Sequence, residues 1–300
     1  MLNPHVSVAI AQIVVYAPML PIAIYVLCKN WKYPPRMAWY PIVTFCLLRI
    51  AGGIITIVRG DNTSNTNLII ADIVILGVGT IPLIVALIGL VRILFILTLE
   101  ATSRANHIIK LLHLLFMATV VLFVVGGVLN SSDNPGPSAR IPSRVAYILL
   151  AVLLLIAVGA LSYLIATQHA RIPRQCHHII YFCLLAAPFI AVRIAYGILG
   201  AFNSIFSTWD PVFGSALAFG LMCLLPEFIA ICIFLHLGFY SIKHRGNLPQ
   251  TSLRSDDSQY WGRRRRRRGG PITRLIMGFK SNTNSSEVGM MPEGRTKSDV

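Results

Sequence analysis

Long apolar runs alternate with short polar ones along most of the chain. A helix crosses a bilayer with about 20 mostly apolar residues, and seven runs reach that length: Val6–Cys28, Trp39–Val58, Leu68–Leu90, His107–Leu129, Val145–Thr167, Ile179–Ala201 and Phe213–Tyr240. The third is ambiguous at its end, because apolar character continues past Arg92 to Leu99. The last exceeds the needed length, so it tilts or starts late. The first carries Pro18 and Pro21, which predict a kink. It is too long for a signal-peptide core and lacks a small-residue cleavage site, so a signal-anchor helix is expected rather than a cleaved leader. The pattern predicts an all-α membrane protein of seven transmembrane helices.

A near-repeat runs through this pattern. Arg49–Ile54 reads RIAGGI, and Arg193–Ile198, 144 positions later, reads RIAYGI. The same shift aligns helix two with six and helix three with seven. It matches Phe45 with Phe189, Gly53 with Gly197, Pro82 with Pro226 and Ala86 with Ala230. Arginine and proline stand 33 residues apart in both halves. Both halves enter the membrane in the same sense, so the expectation is a parallel 3+1+3 internal repeat with helix four as linker. Parallel repeats of this kind occur in transporters. Gly53 and Gly197 lie on or near the face of the arginine preceding them and allow close helix packing.

Ionisable residues inside such runs are costly and need partners. Four stand out: Arg49, Asp72, Arg193 and Glu227. Rough depths at about 1.5 Å per residue suggest two pairs, Asp72 with Arg193 and Arg49 with Glu227, each joining one repeat to the other. They would line an intramembrane polar site or serve as static locks between helices. Pro82, Pro188 and Pro226 are expected to break helices three, six and seven near them, as in transporters.

Charge sets the orientation. Lys and Arg collect in cytosolic loops. Here Lys29, Lys32, Arg36, Arg104, Arg171, Arg174, Lys243 and Arg245 fall on one side, against Arg59, Arg140 and Arg144 on the other. The amino terminus is expected outside and the carboxyl terminus in the cytosol. Asn62-Thr-Ser and Asn130-Ser-Ser are N-glycosylation sequons in loops placed outside by this topology.

Composition agrees with a membrane body. The chain is 55% hydrophobic and 12% charged, where soluble proteins carry about 25% charged residues. Residues 1–240 hold 13 Lys/Arg and 6 Asp/Glu, while residues 241–300 hold 13 and 5. The seven-helix domain is therefore bounded at 1–245, with a basic tail at 246–300 that reads as disordered. Its run Arg263, Arg264, Arg265, Arg266, Arg267, Arg268 would bind anionic lipid headgroups at the cytosolic face. Nucleic acid is not expected as a partner of a seven-helix membrane protein.

The six cysteines avoid the outside loops, so no disulfide framework is implied. Seven of the eight histidines lie toward the cytosolic side without HExxH or i,i+4 spacing, and no metal site or cofactor is expected. Helix seven has no lysine for a retinal Schiff base. Asp-Arg-Tyr after helix three and Asn-Pro-x-x-Tyr in helix seven are both missing, which weighs against a G-protein-coupled receptor. No nucleophile–base set marks an enzyme.

The RIAxGI helices, the late Pro226-Glu227 and the basic tail resemble a fungal family of seven-span integral membrane proteins of uncharacterised function, over about residues 5–245. That resemblance implies the topology and no activity. The functional expectation is a transporter-like protein of the plasma membrane or an endomembrane, with an unidentified small-molecule or ion ligand at the repeat interface. The alternative is a receptor-like or scaffold protein acting through its polybasic tail.

Overall fold

A computed structural model describes residues 4–31, 38–61, 66–98, 103–130, 141–168, 174–203 and 214–244. Every regular element among them is helical: α1 Pro4–Asn30, α2 Tyr40–Asp61, α3 Thr66–Val78, α4 Ile81–Thr98, α5 Ser103–Asn130, α6 Ile141–Gln168, α7 Arg174–Phe202, α8 Ala216–Phe219 and α9 Leu225–Lys243. Six stretches are long and apolar enough to cross a membrane: Pro4–Asn30, Tyr40–Gly60, Val74–Arg92, Ile141–Ala166, Cys176–Phe202 and Ala216–Lys243. In α5 the corresponding apolar stretch is the shorter Leu114–Leu129.

The helices pack in an order that sets α4 at the centre. It touches α2, α5, α6, α7 and α9, whereas α1 rests on α2 and α9. Of the Val74–Arg92 span 67% is buried, against 22% of α1. Leu83, Ile84, Leu87, Leu90 and Leu94 of α4 form the middle of one continuous apolar core. Leu114, Leu155 and Leu217 point outward and stay exposed, as lipid-facing side chains do in a protein whose solvent is hydrocarbon.

Three proline expectations have different outcomes. The third run is not one helix: it stops at Val78 and restarts at Ile81, with Gly79 and Thr80 as a turn between. Pro82 has no N–H to give the Val78 carbonyl, so the ladder fails there. The restart also resolves the ambiguous end, since α4 runs on to Thr98. Before Pro226, Gly220–Leu224 forms a π-helical turn in which the Leu225 N–H reaches back to the Gly220 carbonyl. The missing proline N–H deprives Met222 of its usual donor, and a five-residue reach fills the gap on one side. At Pro188 no break occurs. α7 continues through it, so here the helix tolerates a Leu184 carbonyl deprived of its usual donor. α1 likewise runs as one helix through Pro18 and Pro21.

Close helix approach follows from two glycines. A Cβ on Gly53 would lie 2.7 Å from Ile13 Cγ1 of α1, and one on Gly197 would lie 2.1 Å from Tyr147 Cε1 of α6. Small residues at these points let α1 sit against α2 and α6 against α7.

Candidate functional site: a buried carboxylate between two arginines

Glu227 opens α9 directly after Pro226 and is completely buried. Its Oε1 accepts from two guanidiniums. Arg193 of α7 donates through Nε at 2.5 Å, and Arg49 of α2 donates through Nη2. Both arginines are buried as well, at 3% and 1% exposure. Among the described residues, Oε2 of the same carboxylate has no hydrogen-bond partner, and neither has Arg49 Nε. The expected Arg49–Glu227 pair is present, and Arg193 joins it.

The broken span supports the second arginine. The last carbonyls of any helix lack intrahelical donors, and a helix C-terminus carries partial negative charge. α3 ends inside the protein, and the carbonyl of Leu76 accepts from Arg193 Nη2 at 2.9 Å. Gly79, at the break, stands 3.5 Å from the Arg49 guanidinium measured from its ideal Cβ position. A helix interruption that would be costly in lipid is thus satisfied by arginine.

Several further side chains close the cluster. Gln12 of α1 donates from Nε2 to the backbone carbonyl of Arg49 at 2.5 Å. Arg49 stacks over the Phe45 ring at 5.5 Å, and Phe45 meets Tyr16 edge-on at 5.7 Å. Cys223, in the π-helical turn, places its sulfur 3.6 Å from Arg49 Nη2 and 3.7 Å from Glu227 Oε1. The Tyr16 hydroxyl and Thr80 Oγ1 are buried without a hydrogen-bond partner among the described residues. Gln12, Tyr16 and Cys223 carry no signal in sequence that separates them from ordinary span residues. The sequence does mark Thr80, between Gly79 and Pro82.

Asp72 takes a different partner from the one its estimated depth suggested. It bonds Thr56 Oγ1 at 3.0 Å through Oδ1 and pairs with Arg59 Nη1 at 3.3 Å through Oδ2. The expected Asp72–Arg193 pair does not form. α2 and α3 are sequence neighbours folded against each other, so Arg59 near the end of one faces Asp72 near the start of the other. Arg193 lies one turn deeper, about 6 Å, at the level of Leu76. A pocket of about 20 Å³, room for a water or a monatomic ion, lies beside Asp72 and is lined also by His5, Gln12, Thr56, Arg59 and Leu76. Gln12 and Leu76 separate it from the two inner arginines, whose backbone and guanidinium they contact.

Among the remaining site residues, Pro82 and Pro226 flank the cluster as described, Gly53 and Gly197 serve helix contacts, and Pro188 lies apart from it. Asn62 and Arg263–Arg268 lie outside the described residues. All six cysteines are free thiols, and only Cys28 is exposed. Among the described residues no three His, Cys, Asp or Glu side chains gather as a metal site requires.

Fold and cluster together define an all-helical protein with membrane-compatible spans and a buried Arg–Glu–Arg triad. The chain belongs to the family described as a domain of unknown function, DUF7702, which matches residues 2–244. No curated protein and no solved structure matches it.

Proposed function

We propose that this chain is a seven-span, transporter-like membrane protein whose solute site lies at Arg49, Asp72, Arg193 and Glu227. One observation carries the reading. Arg49 and Arg193 converge on Glu227 where two spans are irregular, at Gly79–Thr80 and at Gly220–Leu224. Carriers commonly place their sites where interrupted helices free backbone groups at mid-membrane. Static locks between helices need no such interruptions.

A duplicated 3+1+3 architecture is supported by like positions. The break at Gly79–Thr80 and the π-helical turn stand before Pro82 and Pro226, which the 144-residue shift equates. Gly53 meets α1 and Gly197 meets α6, and α1 and α6 are the first helices of the two halves. α5, between them, is the remaining span. The Lys/Arg bias puts the amino terminus outside and the carboxyl end in the cytosol.

The test is reconstitution of the full chain in liposomes, with uptake of labelled amino acids, sugars, carboxylates and inorganic ions measured. A saturable response to at least one of them is expected in wild type and not in folded Glu227→Gln. Silence across the whole set, with wild type folded in the same vesicles, would sink the reading.

The second reading is a receptor-like or scaffold protein acting through Arg263–Arg268, an unbroken run of six arginines. Truncation after residue 245 distinguishes the two. It leaves solute uptake intact on the first reading. On the second it abolishes binding to vesicles of phosphatidylserine together with the function.

A further inference from the structure

The triad has two guanidiniums and one carboxylate, an imbalance with a history in the repeat. The arginine occurs in both halves, but the residue equivalent to Glu227 in the first half is Leu83. Surplus positive charge buried in a span is costly. The carbonyl end of α3 offsets part of it at Arg193. Glu227 is also held unevenly: Oε1 takes both arginines, while Oε2 and Arg49 Nε have no hydrogen-bond partner among the described residues. A carboxylate kept only as a lock would be expected to have its remaining lone pairs satisfied. Two arginines converging from different helices suit a carboxylate, which accepts paired N–H donors.

We propose that Arg49 and Arg193 form a binding site for a small monocarboxylate, and that Glu227 is a tethered carboxylate occupying it in this structure. This rests on the transporter-like reading and names its solute class. Glu227 follows the π-helical turn Gly220–Leu224, and relaxation of that turn to α-helix would carry the side chain off the arginines. A monocarboxylate taking the place that Glu227 vacates would meet the same two guanidiniums. The groups facing Glu227 are Arg49, Arg193 and Cys223, with Tyr16 within electrostatic reach. α4 carries one charged residue, Arg92, about 15 Å along the helix from Pro82. The Asp72 pocket adjoins the triad across Gln12 and Leu76.

The test is thermal unfolding of the full chain in detergent, with sodium formate as probe and sodium chloride at equal ionic strength as control. In wild type, formate is expected to raise the midpoint above the chloride value by displacing Glu227. In Glu227→Ala, whose site has lost its tethered carboxylate, saturating formate should add about 3–5 °C. Arg193→Gln should lose the formate effect. Wild type responding alike to formate and chloride overturns the proposal, whether or not Glu227→Ala folds. So does an undiminished formate effect in Arg193→Gln. Formate-specific stabilisation without uptake of any solute keeps the site and sinks the carrier. Uptake without formate-specific stabilisation does the reverse.

Discussion

Arg193 Nε donates to Glu227 Oε1 at 2.5 Å across the contact between α7 and α9, sharing that oxygen with Arg49. The sharing ranks the three side chains. Removing either arginine leaves one ion pair intact. Removing the carboxylate strands two buried guanidiniums. Breaking a buried pair from one side costs about 3–5 kcal/mol, so Glu227→Gln is expected to destabilise by at least that amount. Arg49→Gln and Arg193→Gln should each cost less. Denaturant or thermal unfolding in detergent checks the order, and an arginine variant less stable than Glu227→Gln would contradict it.

Gly197 and Gly159 differ only in what surrounds them. An added Cβ at Gly197 would press on the Tyr147 ring at 2.1 Å, while at Gly159 nothing lies within 4 Å. Gly197→Ala is expected to cost about 1–3 kcal/mol through overpacking. Gly159→Ala should be neutral or stabilise by up to about 1 kcal/mol, since alanine is the better helix former. Melting midpoints of the two variants beside wild type decide this, and equal midpoints for the two would remove the close contact from the account.

Cys28 tests orientation. It is the one exposed cysteine, and it sits at the α1 end beside Lys29, which the charge bias puts in the cytosol. A membrane-impermeant maleimide should label it only after permeabilisation of cells expressing the chain. Labelling in intact cells, absent from Cys28→Ser, would invert the topology.

Much of this was legible in sequence, for a physical reason. Whether a stretch can cross a bilayer depends on the summed transfer energy of about 20 consecutive residues, a local sum that reads out directly. The six spans, the scarcity of intramembrane charges and the irregularities before Pro82 and Pro226 all follow from such local terms. So does the Arg49–Glu227 pairing, since mid-span depth on two helices was sufficient to suggest it. Partner choice elsewhere was decided only by tertiary structure. Asp72 sits with Arg59 because α2 and α3 fold against each other, and Arg193 reaches Leu76 and Glu227 because α7 packs beside α9 at that depth. Pro188 leaves α7 intact, whereas Pro82 and Pro226 each adjoin an irregular turn. Gln12, Tyr16 and Cys223 enter the cluster through the rotation of their helices, which hydropathy along a single chain does not encode. The sequence by itself determined which segments are helical and apolar and which charges must find partners within them. Tertiary structure decided who those partners are, because pairing depends on the relative depth and rotation of helices far apart in the chain.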